Sequence, residues 1–123
     1  MRLTLLGKES TGGQSPTLYA TDRDSYVVQG WRVADAELLA GEETQDTTVV
    51  EVPSTLMGHL AKNGLDGRVT HVVAPIVRVT ASGNYTIQGT RVVDGTALLQ
   101  MDIPAHETCV EVSAPKMRSL VTE

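Results

Sequence analysis

Apolar side chains in this chain return at every second position in short runs. Leu18 and Ala20 flank Tyr19, Tyr26 and Val28 flank Val27, and Val50 and Val52 flank Glu51. A period of two marks a strand with one face turned to a core. The same phasing returns at Val77 and Val79, at Tyr85 and Ile87, and at Val110 and Val112. Tyr19 and Arg78 fall on the opposite face of their strands, as do Glu51 and Glu111 beside Val49 and Cys109. Two other stretches change period. Leu56, Met57 and Leu60, and later Met117, Leu120 and Val121, have helical spacing and follow Pro53-Ser54 and Ser113-Ala114-Pro115. Each predicted helix is short and follows its strand directly, so each is expected to cover one side of a sheet.

The runs also match one another. Ser25-Tyr26-Val27-Val28-Gln29-Gly30-Trp31-Arg32-Val33-Ala34-Asp35 returns as Asn84-Tyr85-Thr86-Ile87-Gln88-Gly89-Thr90-Arg91-Val92-Val93-Asp94, and Thr48-Val49-Val50-Glu51-Val52 returns as Thr108-Cys109-Val110-Glu111-Val112. The offset is 59 or 60 residues here and 66 at Arg2-Leu3-Thr4 against Arg68-Val69-Thr70. The difference predicts a longer surface loop, Gly7 to Ser15, in the first copy. A fixed period of this kind is the signature of a repeated packing unit. The expected fold is α+β and β-rich: a tandem duplication of a four-stranded unit with a short C-terminal helix, in pseudo-twofold arrangement. Repeats 2–60 and 68–120, joined by linker 61–67, would make one compact domain. Each half has only about 60 residues, too few to bury much alone, so a shared apolar seam is expected.

Asp22-Arg23-Asp24-Ser25 and Ala81-Ser82-Gly83-Asn84 are turn-rich and predict hairpins. Asp35 is placed to cap one helical turn over Ala36-Glu37-Leu38-Leu39; its counterpart after Asp94 is weakened by Gly95. Gln29-Gly30 and Gln88-Gly89 interrupt their strands, which predicts a bulge or a close backbone approach. Trp31 is the sharpest difference between the copies, because Thr90 stands at its mate's position. A residue that builds the shared unit would be bulky twice. Trp31 therefore either fills the space between the halves or, with Tyr19, anchors a contact.

Composition narrows the function. Phe is absent and Trp occurs once, so Val, Leu, Ile, Ala and Met must make the core. The net charge is -5, with 5 basic and 9 acidic residues in 1–64 and 5 and 6 in 65–123. That balance disfavours direct nucleic-acid binding and suits a basic protein partner. A single cysteine, Cys109, excludes an internal disulfide framework. No run is long and apolar enough for a membrane span or a signal peptide, so the cytoplasm is the expected location.

Catalytic motifs are missing. The chain has no Gly-x-Ser-x-Gly elbow, Walker loop, dinucleotide fingerprint or zincin helix. Its histidines, His59, His71 and His106, do not recur between copies, so a repeated site would lack a base. His106 and Cys109 lie three apart but lack the four ligands zinc wants. Glu51 and Glu111 are repeat mates, yet a sugar site would need aromatic platforms the chain lacks. Pairing with Arg32 and Arg91, or with another chain, is the expected use of these glutamates. No catalytic residue, cofactor or metal is expected. The interface candidates are Tyr19, Trp31, Gln29, Gln88, Glu51 and Glu111.

Thr48-Val49-Val50-Glu51-Val52 with its Pro53-Ser54 helix start, through Leu60, and less closely Thr108 to Leu120, resembles the small acidic BldB-like proteins of sporulating filamentous bacteria. The likeness covers about a fifth of the chain and departs from the family pattern in lacking a tryptophan in the terminal helix. It implies regulation through self-association or a protein partner, such as a helix-turn-helix regulator, and it identifies no catalytic residue. The expected function is therefore a non-enzymatic protein-interaction module, a homodimer acting in transcription regulation. A small-molecule or enzymatic pocket between the repeats, with Gln29, Gln88, Trp31 and a histidine lining it, is the main alternative. A phage or virion structural role is a further one.

Overall fold

A computed structural model describes residues 2–9, 16–33, 47–63, 77–80, 82–101, 103 and 107–121. Seven strands form a single antiparallel sheet: β1 (Leu3–Lys8), β2 (Thr17–Thr21), β3 (Ser25–Arg32), β4 (Thr47–Val52), β5 (Val77–Val79), β6 (Tyr85–Arg91) and β7 (Glu107–Ser113). A 3-10 helix, η1 (Ser54–Asn63), follows β4; helix α1 (Gly95–Leu99) lies between β6 and β7; helix α2 (Ala114–Val121) follows β7. The molecule is thus β-rich with a few short helices, as the hydrophobic phasing predicts.

The sheet's path runs β1-β2-β3-β4-β6-β5, and β7 joins β3 to β6. Strands β3, β4, β6 and β7 therefore pair in a closed ring, which removes the inner edges such strands would otherwise expose. The long pairings cross between the halves of the chain. β3 pairs with β7 from Ser25↔Ser113 to Trp31↔Glu107, and β4 pairs with β6 from Thr47↔Thr90 to Val52↔Tyr85. Within one half, β3 meets β4 only at Trp31↔Glu51 and Arg32↔Val50. In the other half, β6 meets β7 at Thr90↔Glu111 and Arg91↔Val110.

One apolar core serves both halves. Leu18, Val28, Val50 and Val52 pack in one cluster with Val77, Ile87, Val110 and Val112, closed by Leu56, Met57 and Leu60 of η1 and Met117 and Leu120 of α2. Pro53 and Ser113-Ala114 stop their strands and turn the chain into these helices. A second, smaller cluster lies on the opposite face of the sheet. Tyr19, Val27 and Cys109 are covered there by Leu3, Val92, Met101 and Ile103.

The hairpin turns form as expected. Asp24 (φ 56°) and Gly83 (φ 85°) take the left-handed conformation that a tight turn needs. The Thr21 and Ser25 hydroxyls lie 2.7 Å apart across the first turn, and the Asn84 N–H donates to Thr80 Oγ1 across the second. Asp94 caps α1 by accepting from the Ala97 N–H at 3.0 Å, so a helix forms despite Gly95.

Three expectations change. The proposed loop from Gly7 begins later, because Gly7 and Lys8 belong to β1 and the Glu9 N–H donates to Pro16 O at 2.9 Å. The register shift that accommodates Gly7 lies between Leu5 and Gly7, and a Cβ there would run into the His59 ring. The pairings of β3 with β7 and of β6 with β4 pass through Gly30 and Gly89 without a shift, so neither Gln-Gly is a bulge. Residues 61–63 of the expected linker are the end of η1. Outside the described residues lie the remaining linker, the segments Ser10–Ser15, Asp35–Leu39 and Arg68–Thr70, and His71 and His106.

Candidate functional site

Gly30 and Gly89 mark where β3 and β6 change partners. A Cβ on Gly30 would stand 2.6 Å from Glu51 O, and one on Gly89 would stand 2.6 Å from Glu111 O. Strand backbones cross too closely there for any side chain, which is the close-approach role of a strand glycine. Just beyond each glycine, one residue has a partner on both sides. Trp31 stands opposite Glu51 and Glu107, and Thr90 stands opposite Glu111 and Thr47. Directly opposed residues share a face of the sheet, so each trio forms a small surface.

The two surfaces are filled differently. On the Trp31 side, Gln29 and Glu107 are fully buried and Gln29 Nε2 donates to Glu107 Oε1 at 2.7 Å. Trp31 itself is half-buried, and its Nε1 is buried with no acceptor among the described residues. On the Thr90 side, Gln88 and Gly89 are half-buried and Thr90 is exposed. A cleft of about 330 Å³ opens there, lined among others by Arg23, Gln88, Thr90, Glu111, Ser113 and Lys116. A smaller depression of about 160 Å³ shares Arg23, Thr90 and Glu111 and runs on to Val93 and Asp94.

The glutamates are held by the turns of the opposite half. Glu111 accepts from the Ser25 hydroxyl at 2.5 Å and from Arg23 Nη2 at 3.3 Å. Glu51 accepts from Asn84 Nδ2 at 2.9 Å. Arg23 is largely exposed, so its ion pair with Glu111 contributes little beyond position. Sequence reasoning turned to Arg32 and Arg91 as partners, which share a strand with the repeated motif; the bonds from Arg23, Ser25 and Asn84 come from the hairpins instead.

The six candidate residues are therefore not one patch. Tyr19 is buried in the outer cluster and Gln29 is fully buried. Tyr19 and Trp31 do not make a convex exposed surface together. Gln88 lines the cleft and Glu111 its wall, but neither Gln29, Trp31 nor His59 lines it. His59 rests over Gly7, with Nε2 at 3.8 Å from Glu9 Oε1. Arg23, Thr90, Ser113 and Lys116 line the cleft but are not among the six candidates, although Thr90 stands out in the sequence as the mate of Trp31. The signal for them was the small residue at Trp31's mate, which also marks empty space.

Burial pushes the Cys109 thiol up from 9.0 to about 11, so it is no nucleophile near neutral pH. Among the described residues, no group of three or more His, Cys, Asp or Glu side chains is placed to hold a metal ion. No helix among them is long and apolar enough to cross a membrane. Large apolar side chains are exposed at Leu5, at Val79 and, closest together, on the segment around α1. Val93 is 85% and Leu99 89% exposed, with Leu98 beside them, on a segment anchored by the Asp94 cap and by the Leu3 N–H donating to Gln100 Oε1 at 2.9 Å. Compared with known proteins, the chain matches no family model, no curated protein and no solved structure.

Proposed function

We propose that this chain is a non-enzymatic protein-interaction module built by tandem duplication, with the α1 segment as part of its contact surface. The observation that carries the reading is the exposure of Val93, Leu98 and Leu99 on one short segment that is pinned at both ends. Rigid apolar side chains held in water form a preorganised surface, because their ordering cost is met before a partner arrives. Duplication is supported by matching registers. Val28↔Val110 and Gly30↔Thr108 in one pairing correspond to Ile87↔Val50 and Gly89↔Thr48 in the other. The acidic balance and the BldB-like likeness favour a basic regulatory partner, such as a helix-turn-helix protein in the cytoplasm, with self-association as a second mode.

Affinity capture from native extract tests this. Wild type is compared with Leu99→Asp and Val93→Asp, exposed changes expected to leave the fold intact by circular dichroism. Loss of a DNA-binding partner from the variants is the expected result; an unchanged partner set overturns the reading. A second reading, a small-molecule pocket between the halves, is favoured by the cleft beside Thr90, to which residues 23–25 and 47 of one half and 88–90, 111–113 and 116 of the other contribute.

A further inference from the structure

We infer that the cleft beside Thr90 is a receptor for an aromatic side chain, an indole above all, presented by a protein partner. The inference rests on the interaction reading and says what one contact of that partner would be. Its basis is that the molecule contains the same local framework twice, once filled and once open.

The frameworks correspond residue by residue in register. Gln29, Gly30 and Trp31 of β3 face Cys109, Thr108 and Glu107; Gln88, Gly89 and Thr90 of β6 face Val49, Thr48 and Thr47. The second partner corresponds as well, Glu51 for Trp31 and Glu111 for Thr90. A Cβ on either glycine would stand the same 2.6 Å from the carbonyl oxygen of that glutamate, so the backbones cross alike. Two positions differ in bulk. Trp31 is replaced by Thr90, and Glu107 by Thr47. Where both large residues are present, Gln29 and Gly30 are buried; where both are small, the Gln88-Gly89-Thr90 stretch opens to solvent. The cleft of about 330 Å³ lies over that stretch.

The size of the cleft fits the missing ring, and its polar lining can meet the ring's edge and face. A cavity of about 150 Å³ holds a benzene, so this cleft has room for an indole and part of its backbone. Gly89 contributes to the cleft's lining. Arg23, largely exposed and tethered to Glu111 at the cleft wall, can lie against an aromatic face, a favourable cation–π arrangement. Oxygens of Thr90, Ser113 and Glu111 are present to accept the indole N–H. The adjoining depression leads to Val93, so a ring seated in the cleft would be continuous with the exposed α1 segment. A charged small molecule fits less well, because Arg23 and Lys116 are balanced by Asp24 and Glu111.

The test uses the full chain, labelled with ¹⁵N, and N-acetyl-tryptophanamide as probe, with N-acetyl-leucinamide as control. The expected result is saturable, millimolar-range shifts confined to the amides of Gln88–Thr90, Glu111–Ser113 and Lys116 with the tryptophan probe alone. Thr90→Trp should abolish those shifts and raise the thermal midpoint, since the introduced ring takes the place of the probe. If that variant does not fold, Thr90→Tyr serves as a smaller plug. Absence of cleft shifts in wild type overturns the inference, as do equal shifts with the leucine probe or shifts that survive a folded plug. The α1 variants above are judged separately, so loss of the cleft contact and loss of the whole interaction reading give different results.

Discussion

Gly30 and Gly89 show how much a missing side chain can determine. A methyl group at either would be forced to 2.6 Å from a backbone carbonyl that cannot swing away. Gly30→Ala and Gly89→Ala are each expected to destabilise by about 1–3 kcal/mol, the usual cost of overpacking a tight site. Urea unfolding measures it, and a loss below about 0.5 kcal/mol would contradict the crossing geometry. Cys109 makes a pH prediction. Its thiol is held protonated by burial, with pKa raised from 9.0 to about 11, so the folded state keeps a proton the unfolded chain loses first. Stability should be unaffected by this group below pH 9 and should fall as pH rises from 9 toward 11. Thiol reagents at pH 8 should label it only after denaturant is added; rapid labelling of the native protein would refute its burial.

At the scale of elements, η1 and α2 matter by what they bury. Leu60 and Leu120 are both completely buried in the same cluster. Leu60→Ala and Leu120→Ala should each cost about 2–5 kcal/mol, as cavity-forming changes do. Both should lower the midpoint of one common transition, and two separate transitions would show that the helices close separate cores. Helix α1 has only five residues and depends on its cap. The Ala97 N–H holds the Asp94 carboxyl below its ordinary 3.8, so the bond is present above that value and is lost as pH falls through the lowered one. The Ala97 amide shift should titrate in that acid range, and Asp94→Ala should abolish the titration while Asp94→Asn keeps the helix.

For the whole molecule, the crossed pairings make each half incomplete. β3 finds its long partner in β7, and β4 finds its own in β6. A chain of residues 1–63 would leave both pairings open and divide the single large core. Such a fragment alone is expected to show no cooperative thermal unfolding. Mixing it with residues 64–123 should restore the transition, and independent folding of either piece would refute a shared core.

The alternation of Leu18 with Ala20, or Val50 with Val52, was enough to place the strands and their buried faces, because side-chain direction along a strand is a local property. The turn residues Asp24 and Gly83, and the helix starts at Pro53 and Ser113, were legible for the same reason. Which strands pair was not. Nothing in Val50 says that Ile87 rather than Val28 lies opposite it along most of the strand, since both are equally apolar. The role of Gly30 needed the Glu51 carbonyl, and the partners of Glu51 and Glu111 needed hairpins from the other half. Tyr19 reads as an exposed aromatic on a polar face until Met101 and Ile103 are folded over it. Sequence alone determined the strands, turns and helix starts, and its internal matches set Thr90 against Trp31. Tertiary structure decided that one of those positions is filled and the other open, because empty space belongs to the chains around a residue and not to the residue itself.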